Sequence, residues 1–341
     1  MAERVLRRPG FSRRLDLAPW RRVLMVALVL LAVAAGSLAT GKVPLGREQL
    51  LALLEGTHSP VRVIVLELRL PRLVLGALVG GLLALSGWLF QQIMRNALAS
   101  PDILGVTSGA SAAAVSYLAW LAVPLGAWGV PFAAMAGAVG AAGLIYALAW
   151  SRGVTPIRLV LTGIGVSAAL GAVTTFVLAF SPLTTTLSAY VWLTGSVYGA
   201  NWHDVGTLAL WAVVLILPLA IKMRFAVLAA LDDALATGLG VRVQRQRAVL
   251  LALAAAMAGV AIAAGGAFAF VGLIAPHLAR RVSSAVGASQ AVLSVLWGSL
   301  LVVCADWIAR TVFLPLDLPA GIFVAALGAP FFLWLLLREA R

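Results

Sequence analysis

The chain has 341 residues, of which 62% are hydrophobic and 11% charged, and a mean hydropathy of +1.05. Soluble domains carry about 25% charged residues, so water is excluded as the solvent for most of this surface. The net charge of +13 does not indicate a nucleic-acid partner, because the 25 Lys and Arg sit at the ends of apolar runs, which is the pattern of membrane topology.

In chain order, apolar runs broken by charge, Pro and Gly predict an all-α polytopic membrane protein of about ten spans. They fall near 23–40, 72–94, 104–123, 130–150, 158–180, 205–221, 248–264, 267–279, 290–309 and 319–337, and residues 1–341 read as a single transmembrane domain. Residues 1–22, with seven arginines from Arg4 to Arg22, form a cytoplasmic N-terminal segment. The run that follows is longer than the 7–15 apolar residues of a signal peptide, so it is read as an uncleaved first span. Within it, residues 36–42 (GSLATGK) match the start of a phosphate-binding loop. Val43 stands where Ser or Thr must hold magnesium, and the stretch ends a membrane helix instead of following a strand. Any ATP hydrolysis must therefore come from another chain, and no residue here is assigned a catalytic role.

The second span opens on ELRLPRLVLGALVGG, where Pro71 suits an early helical position, which puts Arg69 just outside the helix and Arg72 in its first turn. Cations are mildly disfavoured at a helix N-terminus. An acidic external partner accounts for both arginines, and so does contact with lipid headgroups. Gly76 with Gly80, and Gly163 with Ser167, are small-xxx-small spacings suited to helix packing.

The loop 222–247 combines five basic residues with LDDALATGLG. Asp232 and Asp233 suit the positive end of a short helix, and Gly238 and Gly240 suit its termination, against the alternative of a solvated basic loop. Residues 265–280, with Gly265, Gly266, Gly272 and Pro276, predict a short, interrupted helix packed inside the bundle. With the N-terminus cytoplasmic and ten spans, both termini share a side, and 19 basic residues lie inside against 6 outside.

Intramembrane ionisable groups of the kind ion-coupled carriers need are nearly absent. Asp306 is the nearest candidate, and an i,i+4 pair with Arg310 explains it. His58, His203 and His277 show no metal-ligand spacing, a structural role suits His277, and the single Cys304 excludes an intrachain disulfide. An ion-coupled secondary carrier and a non-transporting scaffold are the competing readings.

Three strings, RLPRLVLGALVGGLLALSGWLFQQIMRNALASPDILGVTSGA, GGAFAFVGLIAPHLARR and LPAGIFVAALGAPFFLWLLL, together resemble the permease subunit of type II ABC importers. This is the FecCD family, which takes up haem, ferric siderophores and vitamin B12, and the resemblance runs from the first span to the last. It implies the type II ABC importer permease fold, a homodimer formed with a second copy of the chain, two ATP-binding cassette subunits that hold ATP and Mg, and a periplasmic substrate-binding protein. The expected location is the bacterial inner membrane, multi-pass, with no cofactor or metal on this chain.

By position, Arg69, Arg72 and Arg310 resemble outer arginines that meet acidic residues of the binding protein. Asn96 and Leu98 match a cytoplasmic gate, with a companion gate near Thr155, Pro156 and Ile157, where Pro and Ile replace the expected small hydroxyl residues. The stretch Leu231, Asp232, Asp233, Ala234 through Gly238, Leu239 and Gly240 resembles a segment that couples to the ATPase. An apolar pathway suits a planar macrocycle, which puts haem first, with His58 and His203 as transient iron contacts, a ferric siderophore second and vitamin B12 third.

Overall fold

The computed structural model describes residues 3–8, 11–16, 18–41, 60–151, 153–283, 287–314 and 316–339. His58, Arg152 and the basic residues Lys42, Arg47 and Arg341 lie outside that set. The strands β1 (Glu3–Arg8) and β2 (Phe11–Asp16) pair antiparallel as a hairpin ahead of the first span. The remaining described elements are helical; apart from short pieces at Pro60–Val63, Ile64–Arg69, Ala122–Leu125 and Ala127–Gly129 they are α1 (Ala18–Ala39), α2 (Leu70–Met94), α3 (Val106–Trp120), α4 (Val130–Ala149), α5 (Pro156–Ala179), α6 (Leu183–Thr194), α7 (Trp202–Leu228), α8 (Asp233–Gly238), α9 (Val243–Gly265), α10 (Val271–Val282), α11 (Ala288–Thr311) and α12 (Ala320–Glu339).

Eight helices among the described residues are long and apolar enough to cross a membrane. The other two expected spans are shorter than drawn from sequence. The run 104–123 holds the 15-residue α3, and 267–279 holds the 12-residue α10. Both fall below the ~20 residues that cross a hydrocarbon core unaided. The second span also begins earlier than expected. A turn at Pro60–Val63 and a π-helical stretch, Ile64–Arg69, run without interruption into α2. Pro71 lacks an amide hydrogen and crowds the preceding turn, and the widened π ladder directly before it relieves that conflict. Arg69 is consequently part of a helical run and not a residue outside one.

α2 is the axle of the molecule. Every residue from Val79 to Met94 is buried, as expected of a helix that is apolar all round. Of an 18-residue window, 78% is buried in this span against 11% in α1. α11, α9, α10 and α7 surround it. Small residues set the closest approaches: a Cβ on Gly80 would lie 2.2 Å from the Gly298 carbonyl oxygen, and one on Gly87 would lie 1.9 Å from that of Gly272. Gly76, by contrast, has ordinary van der Waals room. Buried hydrogen bonds tie α2 to α11 and to α9, Trp88 Nε1 donating to Gln290 Oε1 at 3.0 Å and Ser86 Oγ to the Ala254 carbonyl at 2.6 Å.

Between α9 and α10 the helix breaks, with Gly266 at φ +76° and Phe270 at φ +64°, an uncommon left-handed conformation for a non-glycine residue. The break lies among protein, as the glycines and Pro276 predict. The Ser196 amide donates to the Gly265 carbonyl at 2.8 Å, and the Phe270 amide donates to Asp102 Oδ2 at 3.1 Å. Non-helical backbone within a bilayer survives only with such internal partners.

Candidate functional site

Two charged clusters stand at opposite ends of α2, separated by the ~37 Å length of a 25-residue helix. The first gathers Arg69, Arg72 and Arg310, residues far apart in sequence, around an open cavity also lined by Gly41, Ile64, Leu68 and Asp317. Arg72 is clamped between two carboxylates. Its Nε donates to Asp306 Oδ1 and Oδ2 at 2.9 and 3.1 Å, and its Nη1 and Nη2 donate to Asp317 Oδ2 and Oδ1 at 3.1 and 2.9 Å. Asp306 is therefore held chiefly across the helix interface by Arg72. The expected i,i+4 neighbour Arg310 approaches it only at 3.6 Å.

Arg69 and Arg310 turn to the C-terminal end of α1. Arg69 Nη1 donates to the Leu38 carbonyl at 2.6 Å and Arg310 Nη1 to the Thr40 carbonyl at 2.9 Å. Arg310 Nη2 also reaches the Ser37 carbonyl and its hydroxyl. α1 has no basic residue in its own last turn, so two other segments supply the cations that its terminal carbonyls and dipole favour. Arg72 thus has two acidic partners within the chain. Among the described residues, three guanidiniums and two carboxylates gather at this end of α2.

The second cluster lies where α2 ends. Asp232 caps α8, its side chain accepting from the Ala234 amide at 2.9 Å. The helix stops as its glycines predict. The Gly240 amide donates to the Thr237 carbonyl at 2.8 Å and the Val241 amide to that of Ala236 at 3.1 Å, with Gly240 at φ +78°. Ala236 is buried against the bundle, while Leu235 and Leu239 are 64% and 66% exposed one turn apart. Leu231 is partly exposed beside them, and a Cβ on Gly238 would meet nothing within 4 Å. α8 therefore presents an apolar, sterically open face.

Its opposite face is charged. Asp233 Oδ1 accepts from Arg95 and, at 2.7 Å, from Arg247 Nη2. Burial pushes the Asp233 carboxyl up, but the hydrogen bonds and charges of Arg247 and Arg95 outweigh it and hold the group below the usual carboxylate range. The candidate gate residues flank this cluster. Asn96 follows Arg95, and its Oδ1 accepts from the Leu98 amide at 2.8 Å, making a tight turn. Thr155 is the extended residue before α5, Pro156 is the first helical residue, and Ile157 is exposed.

Two residues that sequence reading missed anchor this second segment. Gln244 Oε1 accepts from the Val154 amide at 2.9 Å, and Arg247 donates to the Val154 carbonyl. The N-terminal part of α1 lies at this same end, with Val23 and Val26 packed with Ala279 and Leu293. Arg280 bonds Gln91 and, at 3.4 Å, the Ala97 carbonyl, while Arg281 and Arg338 both lie against the Trp334 ring.

Among the described residues no three of His, Cys, Asp or Glu gather as a metal group. His277 is engaged locally, its Nε2 accepting from Arg281 Nε at 3.2 Å and its ring edge-on to Phe331. His203 lies exposed in the first turn of α7.

Comparison with known proteins gives a consistent picture. The model of the FecCD transport family matches residues 25–338. The achromobactin transport system permease protein CbrC of Dickeya dadantii (strain 3937) is 57% identical over 336 residues, covering 98% of this chain and 96% of the relative. The Fe(3+) dicitrate transport system permease protein FecD of Escherichia coli (strain K12) is 40% identical over 318 residues, covering 93% and 98%. A solved structure described as an inward-facing conformation of a metal-chelate type ABC transporter superimposes with a TM-score of 0.81 at 25% identity, covering 94% of this chain and 99% of that one.

Proposed function

The chain belongs to the FecCD transport family, and from that premise we propose that it forms the membrane pathway through which an ATP-driven importer carries a ferric siderophore into the cytoplasm. It is a multi-pass membrane protein with the permease fold, a transport component and not an enzyme. The observation that carries the substrate reading is the 57% identity, over nearly the whole chain, to an achromobactin permease. Haem ranked first on the apolar character of the pathway. The siderophore and citrate names of the relatives put a ferric siderophore ahead of it.

The mechanism follows from the two ends of α2. In this reading the permease is a homodimer in the bacterial inner membrane with cytoplasmic termini, and a binding protein docks at the end that holds Arg69, Arg72 and Arg310. What supports docking is an open cavity lined by three arginines, side chains that suit an acidic surface. At the other end, α8 offers Leu235 and Leu239 to an ATPase subunit, a two-point apolar anchor of the kind that fits a helix into a groove. Closure of two ATPase subunits on ATP and Mg displaces α8, and the bundle exchanges an outward for an inward opening between the segments at Asn96–Leu98 and Thr155–Ile157. The few charges along the spans leave no strong binding site to dismantle, so selectivity rests with the binding protein.

The test is uptake into proteoliposomes containing the permease, its ATPase and its binding protein. ATP-dependent uptake of ferric achromobactin, with none from an ion gradient alone, is the expected result. Uptake of haem or cobalamin in place of the siderophore would overturn the substrate assignment, and uptake by the permease alone would make it a secondary carrier.

A further inference from the structure

Asp233 sits where three parts of the molecule meet. Arg95 donates to its Oδ1 from the residue that terminates α2, in a left-handed conformation at φ +51°, and also lies 3.7 Å from Asp232 Oδ2. Arg247 donates to the same Oδ1 at 2.7 Å from the second turn of α9. Each arginine is one step from a gate segment. Arg95 is covalently next to Asn96. Arg247 bonds the carbonyl of Val154, next to Thr155, and Gln244 one turn earlier holds the amide of that residue.

The partners of Arg247 are not interchangeable with water. Its side chain is 5% exposed, so loss of either contact leaves a guanidinium buried and short of acceptors. Asp233 and Leu235 lie on one short helix whose inner face meets the arginines and whose outer face is open, so a push on the outer face reaches Asp233 without an intervening flexible loop.

We propose that Asp233 is a positioning residue that links α8 to both gate segments at once, through Arg95 to Asn96–Leu98 and through Arg247 to Thr155–Ile157. The two gates move together because one carboxylate oxygen holds both arginines. This rests on the reading of α8 as the ATPase-facing segment and of the two segments as gates.

The experiment uses the complete importer in proteoliposomes, with spin labels at Leu98 or Ile157 and ATP hydrolysis and uptake measured on the same samples. In the unmodified chain, nucleotide should shift both labels. Arg247→Gln should leave the response at position 98 and abolish that at 157, Arg95→Gln should do the converse, and each should lower uptake per ATP about tenfold. Arg247→Lys keeps a charge for Asp233 but cannot span to the Val154 carbonyl, so it should assemble normally and still lose the response at 157. Asp233→Glu should recover part of the uptake lost in Asp233→Asn. If both labels respond in Arg247→Gln and Arg247→Lys, or uptake per ATP is unchanged, the relay is refuted. The underlying reading fails separately: if Leu235→Glu with Leu239→Glu still co-purifies with the ATPase and transports, α8 is not the coupling element whatever the labels report.

Discussion

Arg72 and Asp306 lie 234 positions apart in sequence and meet through a two-oxygen ion pair with both side chains largely buried. The pair joins the start of α2 to the last turns of α11, and Asp317 extends the clamp to the segment before α12. Removing one partner of a buried pair strands the other charge, at a cost of about 3 kcal/mol. Arg72→Met, which strands the buried Asp306, should therefore lower the thermal midpoint of the detergent-solubilised protein sharply, whereas Asp204→Ala, which removes only an exposed capping contact, should lower it far less. Equal losses would show that the clamp carries no special weight.

The same clamp separates docking from stability among the outer arginines. Arg69→Glu should weaken binding-protein affinity on the order of tenfold, with the effect shrinking as salt rises, and leave more of the fold intact than Arg72→Glu. Surface plasmon resonance at two ionic strengths reads the first quantity and thermal unfolding the second. Unchanged affinity for Arg69→Glu would remove this cavity from the docking surface.

Gly80 is a packing position with no room for a methyl group, because the Gly298 backbone occupies the place of a Cβ. Gly80→Ala should cost about 1–3 kcal/mol through forced separation of α2 and α11. Gly140→Ala, where a Cβ meets nothing within 4 Å, should be neutral or slightly stabilising. Urea or thermal titration of the two variants side by side makes the comparison.

The Asp233 contacts have a defined pH dependence. The folded carboxyl titrates below its ordinary value of 3.8, so its contribution to stability is complete above that value and is lost as pH falls through the lower, folded one. The difference in thermal midpoint between the unmodified chain and Asp233→Asn should stay constant from pH 7 to about pH 5 and shrink only below about pH 4. A difference that vanished near pH 6 would point to a histidine instead.

Local chemistry was legible in the sequence and long-range pairing was not. Asp232 and Gly240 announced the start and stop of α8 because caps are set within a few residues of themselves. The glycines and Pro276 announced the broken helix before α10 for the same reason. The sequence pairs Asp306 with Arg310 one turn away, and that ion pair is present at 3.6 Å, but the closer partner, Arg72, comes from another helix and has no local signal. Gln244 and Arg247 gave no sign of holding Val154, 90 and 93 positions earlier. The helix α6, with three consecutive threonines in its first turns, runs against the low helix propensity of β-branched residues. The π-helical entry to α2 was hidden because apolar periodicity does not distinguish the two ladders over six residues.

The C-terminal carbonyls of α1 have one further consequence, for the order of assembly. Arg310, which accepts the task of bonding Thr40 and Ser37, is made 270 residues after Thr40. At 5–20 residues per second a ribosome needs roughly 14 to 54 s to reach it. During that interval α1 lacks its final neighbours. α1 is thus synthesised before the other described helices and is among the last to be locked, and newly made protein should pass through a stage in which this helix is still exchangeable while the partners of α2 are being added around it.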